Sequence, residues 1–90
     1  MPTVRILQPL RKLAGDLESI EIGAPTVAGL IEHLDQQYPG FRARLFDGPD
    51  QLKQFINIYI DGEDIRFLDG LNTSIPDRAE VVIVPAVAGG

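Results

Sequence analysis

Val81, Val82, Ile83 and Val84 form an unbroken run of β-branched residues that ends on Pro85. Branched side chains pack well on a pleated surface, and four apolar residues in succession leave no polar face for water. The run therefore predicts a strand near the centre of a sheet, covered on at least one side. A second apolar strand is predicted at Thr3–Leu7, "TVRIL", where apolar and polar residues alternate. As the two most apolar strands, these are expected to lie side by side and parallel at the sheet centre.

Between them the period of the hydrophobic pattern changes. Leu17–Ile22, "LESIEI", alternates imperfectly and is expected to pair with the first strand as a hairpin, with Ile20 and Ile22 on its core face. The segment "QPLRKLAGD" between them carries Pro9 and Gly15 and reads as a turn. From Val27 onward the apolar residues fall on a helical stripe: Val27, Leu30, Ile31, Leu34 and Tyr38. Thr26 suits the N-cap and Pro39–Gly40 the stop. "FRARLF" (41–46) has the pattern of a short second helical turn.

"FINIYI" (55–60) is a further strand, with Ile56, Ile58 and Ile60 on one face and Phe55, Asn57 and Tyr59 on the other. Asp61–Gly62 suits a tight hairpin turn, and a returning strand is expected over Asp64–Leu68. The resulting order, β-β-α-β-β-β with one main helix, is that of an α+β, β-grasp (ubiquitin-like) roll with a mixed sheet. One domain spanning residues 1–90 is expected, with a flexible tail over residues 86–90.

Composition excludes several chemistries. The chain has no cysteine, which removes disulfides, thiolate metal sites and a cysteine nucleophile. The formal net charge of −5 argues against nucleic acid or an anionic membrane surface as partner. No stretch approaches the ~20 apolar residues of a membrane span, and no signal peptide is evident, so a cytoplasmic location is expected. The single histidine, His33, lies beside the helical stripe and reads as a surface residue. Ser19 and Ser74 lack a nucleophile-elbow setting. Asp61, Glu63 and Asp64 lack the spacing of a calcium loop, and no metal site is expected. Arg42 and Arg44 are expected on the polar side of their short amphipathic turn. The residues suggest no catalytic group.

One group with chemical potential remains, the C-terminal carboxylate of Gly90. It is ionised at neutral pH and becomes useful when another enzyme activates it as an acyl-adenylate. Gly89 and Gly90 lack a Cβ and suit a narrow channel. Extended, residues 87–90 reach roughly 13 Å. Pro85 would fix the direction in which the tail leaves. On the strand face away from the isoleucines, Phe55 and Tyr59 are candidate partner contacts.

The helix segment "TVAGLIEHL", the strand pair "FINIYIDGEDIRFLDG" and the ending "VPAVAGG" make the chain resemble the ubiquitin-like sulfur carriers of the MoaD/ThiS family. The resemblance covers essentially the whole chain and is closest to the cysteine-biosynthesis type, CysO-type carriers. Molybdopterin synthase small subunits more often place a second proline where Ala86 stands, and many relatives have an Asp-Gly-Asp turn where this chain has "PDRAE".

The resemblance implies a carrier that is not itself an enzyme. A ubiquitin-activating-type adenylyltransferase would use ATP and magnesium on Gly90, guided by Val87, Ala88 and Gly89, and a sulfur donor would leave a 1-thioglycine (thiocarboxylate) there. No cofactor would be tightly bound. The acceptor would be serine activated on a pyridoxal-phosphate cysteine synthase, with a metalloprotease releasing cysteine. Two alternatives stay open: the small subunit of molybdopterin synthase, delivering sulfur to the large subunit, and a non-catalytic ubiquitin-like binding or protein-modifier domain.

Overall fold

A computed structural model describes residues 1–8, 10–48 and 51–85. Five strands make one mixed sheet: β1 (Thr3–Ile6), β2 (Ser19–Glu21), β3 (Ile56–Ile60), β4 (Glu63–Asp64) and β5 (Glu80–Pro85), in the order β2-β1-β5-β3-β4. The last strand is central, as its apolar run requires. It pairs in parallel with β1, Val4 opposite Val81 and Ile6 opposite Ile83, and antiparallel with β3, Ile58 opposite Ile83.

Two helices cover one face of this sheet: α1 (Val27–Gln37) and α2 (Phe41–Leu45). Thr26 caps α1 by accepting a hydrogen bond from the Gly29 amide on its side-chain oxygen, at 3.2 Å. Asp35 on α1 accepts from the amides of Gly40 and Arg42, both at 3.1 Å, and so ties the start of α2 to the main helix. Val27, Leu30, Ile31 and Leu34 pack into one core with Phe41 and Leu45 of α2 and Val4, Ile6, Ile58, Val81 and Ile83 of the sheet. Ile20 and Ile22 also enter this core, while Leu17 on the opposite face is exposed.

Three expectations are revised. The stretch after β2's partner strand is more than a turn: Leu10–Ala14 wind into a 3₁₀ helix that buries Leu10 and Ala14. The second strand is shorter than Leu17–Ile22, because only Ser19–Glu21 keep a ladder with β1. The returning strand does not extend from Asp64 to Leu68. Asp61 and Gly62 do adopt positive φ, 49° and 89°, as the hairpin demands. Yet β4 stops at Asp64, whose carboxylate accepts from the Arg66 amide at 2.9 Å and turns the chain into a 3₁₀ helix over Ile65–Phe67. In a continued strand Ile65 and Phe67 would share a face; instead Ile65 is buried and Phe67 is 86% exposed.

Candidate functional site

The site expected at the tail is built from the strand that leads into it. Residues 87–90, including Gly90, Gly89, Ala88 and Val87, lie outside the described residues, as does Ala86. Pro85 is the last described residue, and it stands opposite Ile56 at the end of the β3–β5 ladder. A proline lacks the amide needed to continue a ladder, so a terminal strand position is where it fits.

Around Pro85 two neighbouring segments are fastened by cationic side chains, and a third cationic residue lies in the adjoining turn. The Arg66 guanidinium donates from Nη2 to the carbonyls of Gln54, at 3.0 Å, and Ile56, at 2.9 Å. Because β4 pairs only with Tyr59 and Ile60, this end of β3 has no strand on its outer side, and Arg66 satisfies carbonyls that a strand would otherwise hold. The Arg11 Nε donates to the carbonyl of Ile6 at 2.9 Å, on the strand alongside β5. Lys53 sits in the turn that starts β3, where its carbonyl accepts from the Ile56 amide at 3.1 Å.

The outer face of the sheet, turned away from the helices, carries one row across four strands: Arg5, Val82, Tyr59 and Asp64. Asn57 and Val84 form the next pair toward Pro85. Ile56, Ile58 and Ile60 face the core as expected, and Tyr59 is half-buried on the outer face. Phe55 is 54% exposed just before β3. Phe55 is thus next to the strand end that carries Pro85, whereas Tyr59 lies on the outer face toward the opposite end of β3, opposite Val82 and Asp64.

Other groups weighed from the sequence have ordinary roles. His33 is exposed, with Nδ1 3.0 Å from the Gly23 carbonyl. The Asp61 carboxylate accepts from the Glu80 amide at 3.0 Å, fastening the β3–β4 turn to the start of β5. Among the described residues no cluster of His, Cys, Asp or Glu could hold a metal ion. Arg42 lies over the Phe46 ring at 4.7 Å, so the short basic-aromatic turn is folded on itself. Arg11, Lys53 and Arg66 were not singled out by sequence, since their convergence depends on where three separate loops end. No helix is long and apolar enough to cross a membrane among the described residues.

A small β-grasp sheet with an exposed outer face and a strand running into a Gly-Gly tail is the frame on which comparison with known proteins can be judged. A model of the ThiS family matches residues 4–90. The chain belongs to the ThiS family. The match reaches residue 90, so Gly89–Gly90 fall within the family's own region. The chain is 42% identical to the sulfur carrier protein CysO of Mycobacterium tuberculosis over 90 residues, covering 98% of this chain and 97% of the relative. It is 34% identical over 87 residues to a putative sulfur carrier protein of Archaeoglobus fulgidus, covering 97% and 98%. Among solved structures, CysO in the Amycolatopsis orientalis BexX/CysO complex superposes with a TM-score of 0.92 at 37% identity, over the whole of both chains.

Proposed function

We propose that this ThiS-family chain is a sulfur carrier whose working group is the Gly90 carboxylate, and that it serves cysteine biosynthesis. The observation that carries the proposal is the family match through Gly89–Gly90, joined to a fold in which the central strand β5 runs to Pro85 and on into that tail. The full-length likeness to CysO supports the cysteine branch.

The chemistry asks little of the carrier itself. A Gly90 carboxylate oxygen attacks the α-phosphorus of ATP on the adenylating enzyme, and pyrophosphate leaves with magnesium. A sulfur nucleophile then attacks the acyl-adenylate carbonyl and AMP leaves, so one oxygen has been replaced by one sulfur. The thiocarboxylate sulfur displaces the leaving group from the β-carbon of an activated serine held by a pyridoxal-phosphate enzyme. Hydrolysis by a metalloprotease returns the carboxylate and frees cysteine. The carrier supplies a rigid body that partners can grip and a tail without side-chain bulk at its last two residues.

The direct test is intact mass. Incubation with the adenylating enzyme, ATP, magnesium and a sulfide source should add ~16 Da on the C-terminal peptide. Further addition of the pyridoxal-phosphate synthase and activated serine should give a cysteine adduct. A mass that never moves beside a demonstrably active adenylating enzyme overturns the proposal.

A further inference from the structure

The chain is acidic as a whole, at −5, and on that figure alone its partners should be basic. The charges are not spread evenly along the sheet. At the end where β5 meets the tail, the Arg66 side chain is anchored to the Gln54 and Ile56 carbonyls and that of Arg11 to the Ile6 carbonyl, while Lys53 belongs by its backbone to the turn leading into Ile56. Ile56 is paired with Pro85 and Ile6 with Ile83, so the two guanidinium groups are fixed within a residue or two of the strand end, and the Lys53 backbone lies beside them with its ammonium unanchored. Arg11 is partly offset by Glu18 at 3.6 Å. Among the described residues no carboxylate comes within 4.0 Å of the Lys53 amine or the Arg66 guanidinium.

The other end of the same strands is richer in carboxylates, although Arg78 also lies there, beside Met1 and Pro2. Asp61 and Glu63 flank the β3–β4 turn, Glu80 starts β5 and is bound through its amide to Asp61, and Asp69 lines the same groove as Asp61 and Glu63. Arg5, the cation nearest Glu80, is already paired with it at 3.1 Å. Four residue steps along β3 separate the two ends, about 13 Å. That exceeds the Debye length of about 8 Å at physiological ionic strength, so a partner at one end feels that end and little of the other.

We propose that Arg11, Lys53 and Arg66 form a cationic collar around the tail exit, and that it docks on an acidic rim at the mouth of the adenylating enzyme's tail channel. The proposal rests on the carrier reading and adds the chemistry of the partner surface. A collar placed at the tail's root steers the tail toward the channel and holds the body against its mouth, an effect exerted mainly on encounter. It also explains why cations are retained at this end of an otherwise acidic surface, including a guanidinium that takes up the free carbonyls of β3.

The test compares a charge reversal at each end, of equal size, and adds a neutralisation at the tail end. Pyrophosphate release by the adenylating enzyme is measured for the wild-type chain, Lys53→Glu, Arg66→Gln and, at the far end, Arg78→Glu. Lys53→Glu should lower kcat/KM about tenfold at low salt, through KM, and the deficit should shrink as salt rises. Arg66→Gln should show a smaller loss of the same kind, and Arg78→Glu should leave the rate unchanged or raise it. The Lys53 side chain makes no hydrogen bond among the described residues, so its reversal carries the test even if Arg66→Gln fails to fold. Equal effects at the two ends, or a faster Lys53→Glu, overturn the collar while leaving the carrier reading intact. A wild-type chain that releases no pyrophosphate with an active enzyme overturns both.

Discussion

Ile56 stands opposite Pro85, the last rung of the central strand among the described residues. On one side of that rung the Ile56 side chain is buried in the core; on the other its carbonyl accepts from Arg66. The tail therefore departs from a point fixed both by packing and by hydrogen bonding. A fixed root limits the directions a tail can sample, which reduces the ordering entropy left for a partner channel to overcome.

Removal of Gly89 and Gly90 should abolish the ~16 Da gain while changing unfolding free energy by less than ~0.5 kcal/mol, since the core formed by the described residues is complete before Pro85. Gly89→Val should likewise block loading, because a branched side chain restricts the backbone and adds bulk in a narrow channel. Intact mass and urea denaturation measured on the same samples check both. A truncated chain that no longer folds would make the tail a structural element.

Thr26→Ala should cost about 1 kcal/mol, the usual value of an N-cap side chain. The hydroxyl accepts from the Gly29 amide, and alanine leaves that amide without its partner inside a half-buried turn. Denaturant midpoints at an unchanged m-value are the measurement. Sulfur loading should be unaffected, because the cap lies at the start of α1 and the tail leaves from β5.

Much of this fold was legible because local pattern and burial agree. The stripe from Val27 to Leu34, the Ile20/Ile22 face, the triplet Ile56, Ile58 and Ile60, and the Asp61–Gly62 turn all stand where periodicity and turn chemistry put them. The parallel placement of β1 beside β5 followed from their apolar content. The Asp64–Leu68 segment misled because alternation there competes with an Asp64 side chain that bonds its own backbone two residues on, and that bond prevailed. The face count of β3 placed Tyr59 away from the core, and Phe55 is exposed just before the strand. Arg11, Lys53 and Arg66 could not be placed from sequence, since they come from segments more than ten residues apart, and the places of Arg11 and Arg66 depend on hydrogen bonds to carbonyls of other segments.

Ile83→Ala should be among the most damaging single changes, at about 2–5 kcal/mol. Ile83 is fully buried at the centre of the sheet, paired with Ile6 on one side and Ile58 on the other. Truncation leaves a cavity bordered by two strands that cannot close in without breaking ladder bonds. Calorimetry should show a lowered Tm, and a small domain of this size has little stability to spare.

Tyr59→Ala should separate recognition from stability. Tyr59 lies on the outer face between Val82 and Asp64 and is half-buried. Losing those cross-strand contacts should cost no more than about 1 kcal/mol. If this face meets the adenylating enzyme, the ring is the kind of anchor that concentrates binding energy, and alanine should raise KM about tenfold with little change in kcat. Tyr59→Phe, which keeps the ring, should retain most of the activity, and Phe55→Ala should act in the same direction as Tyr59→Ala. Unchanged KM for both alanine variants would remove this face from the interface and leave the strand end beside Pro85 as the contact.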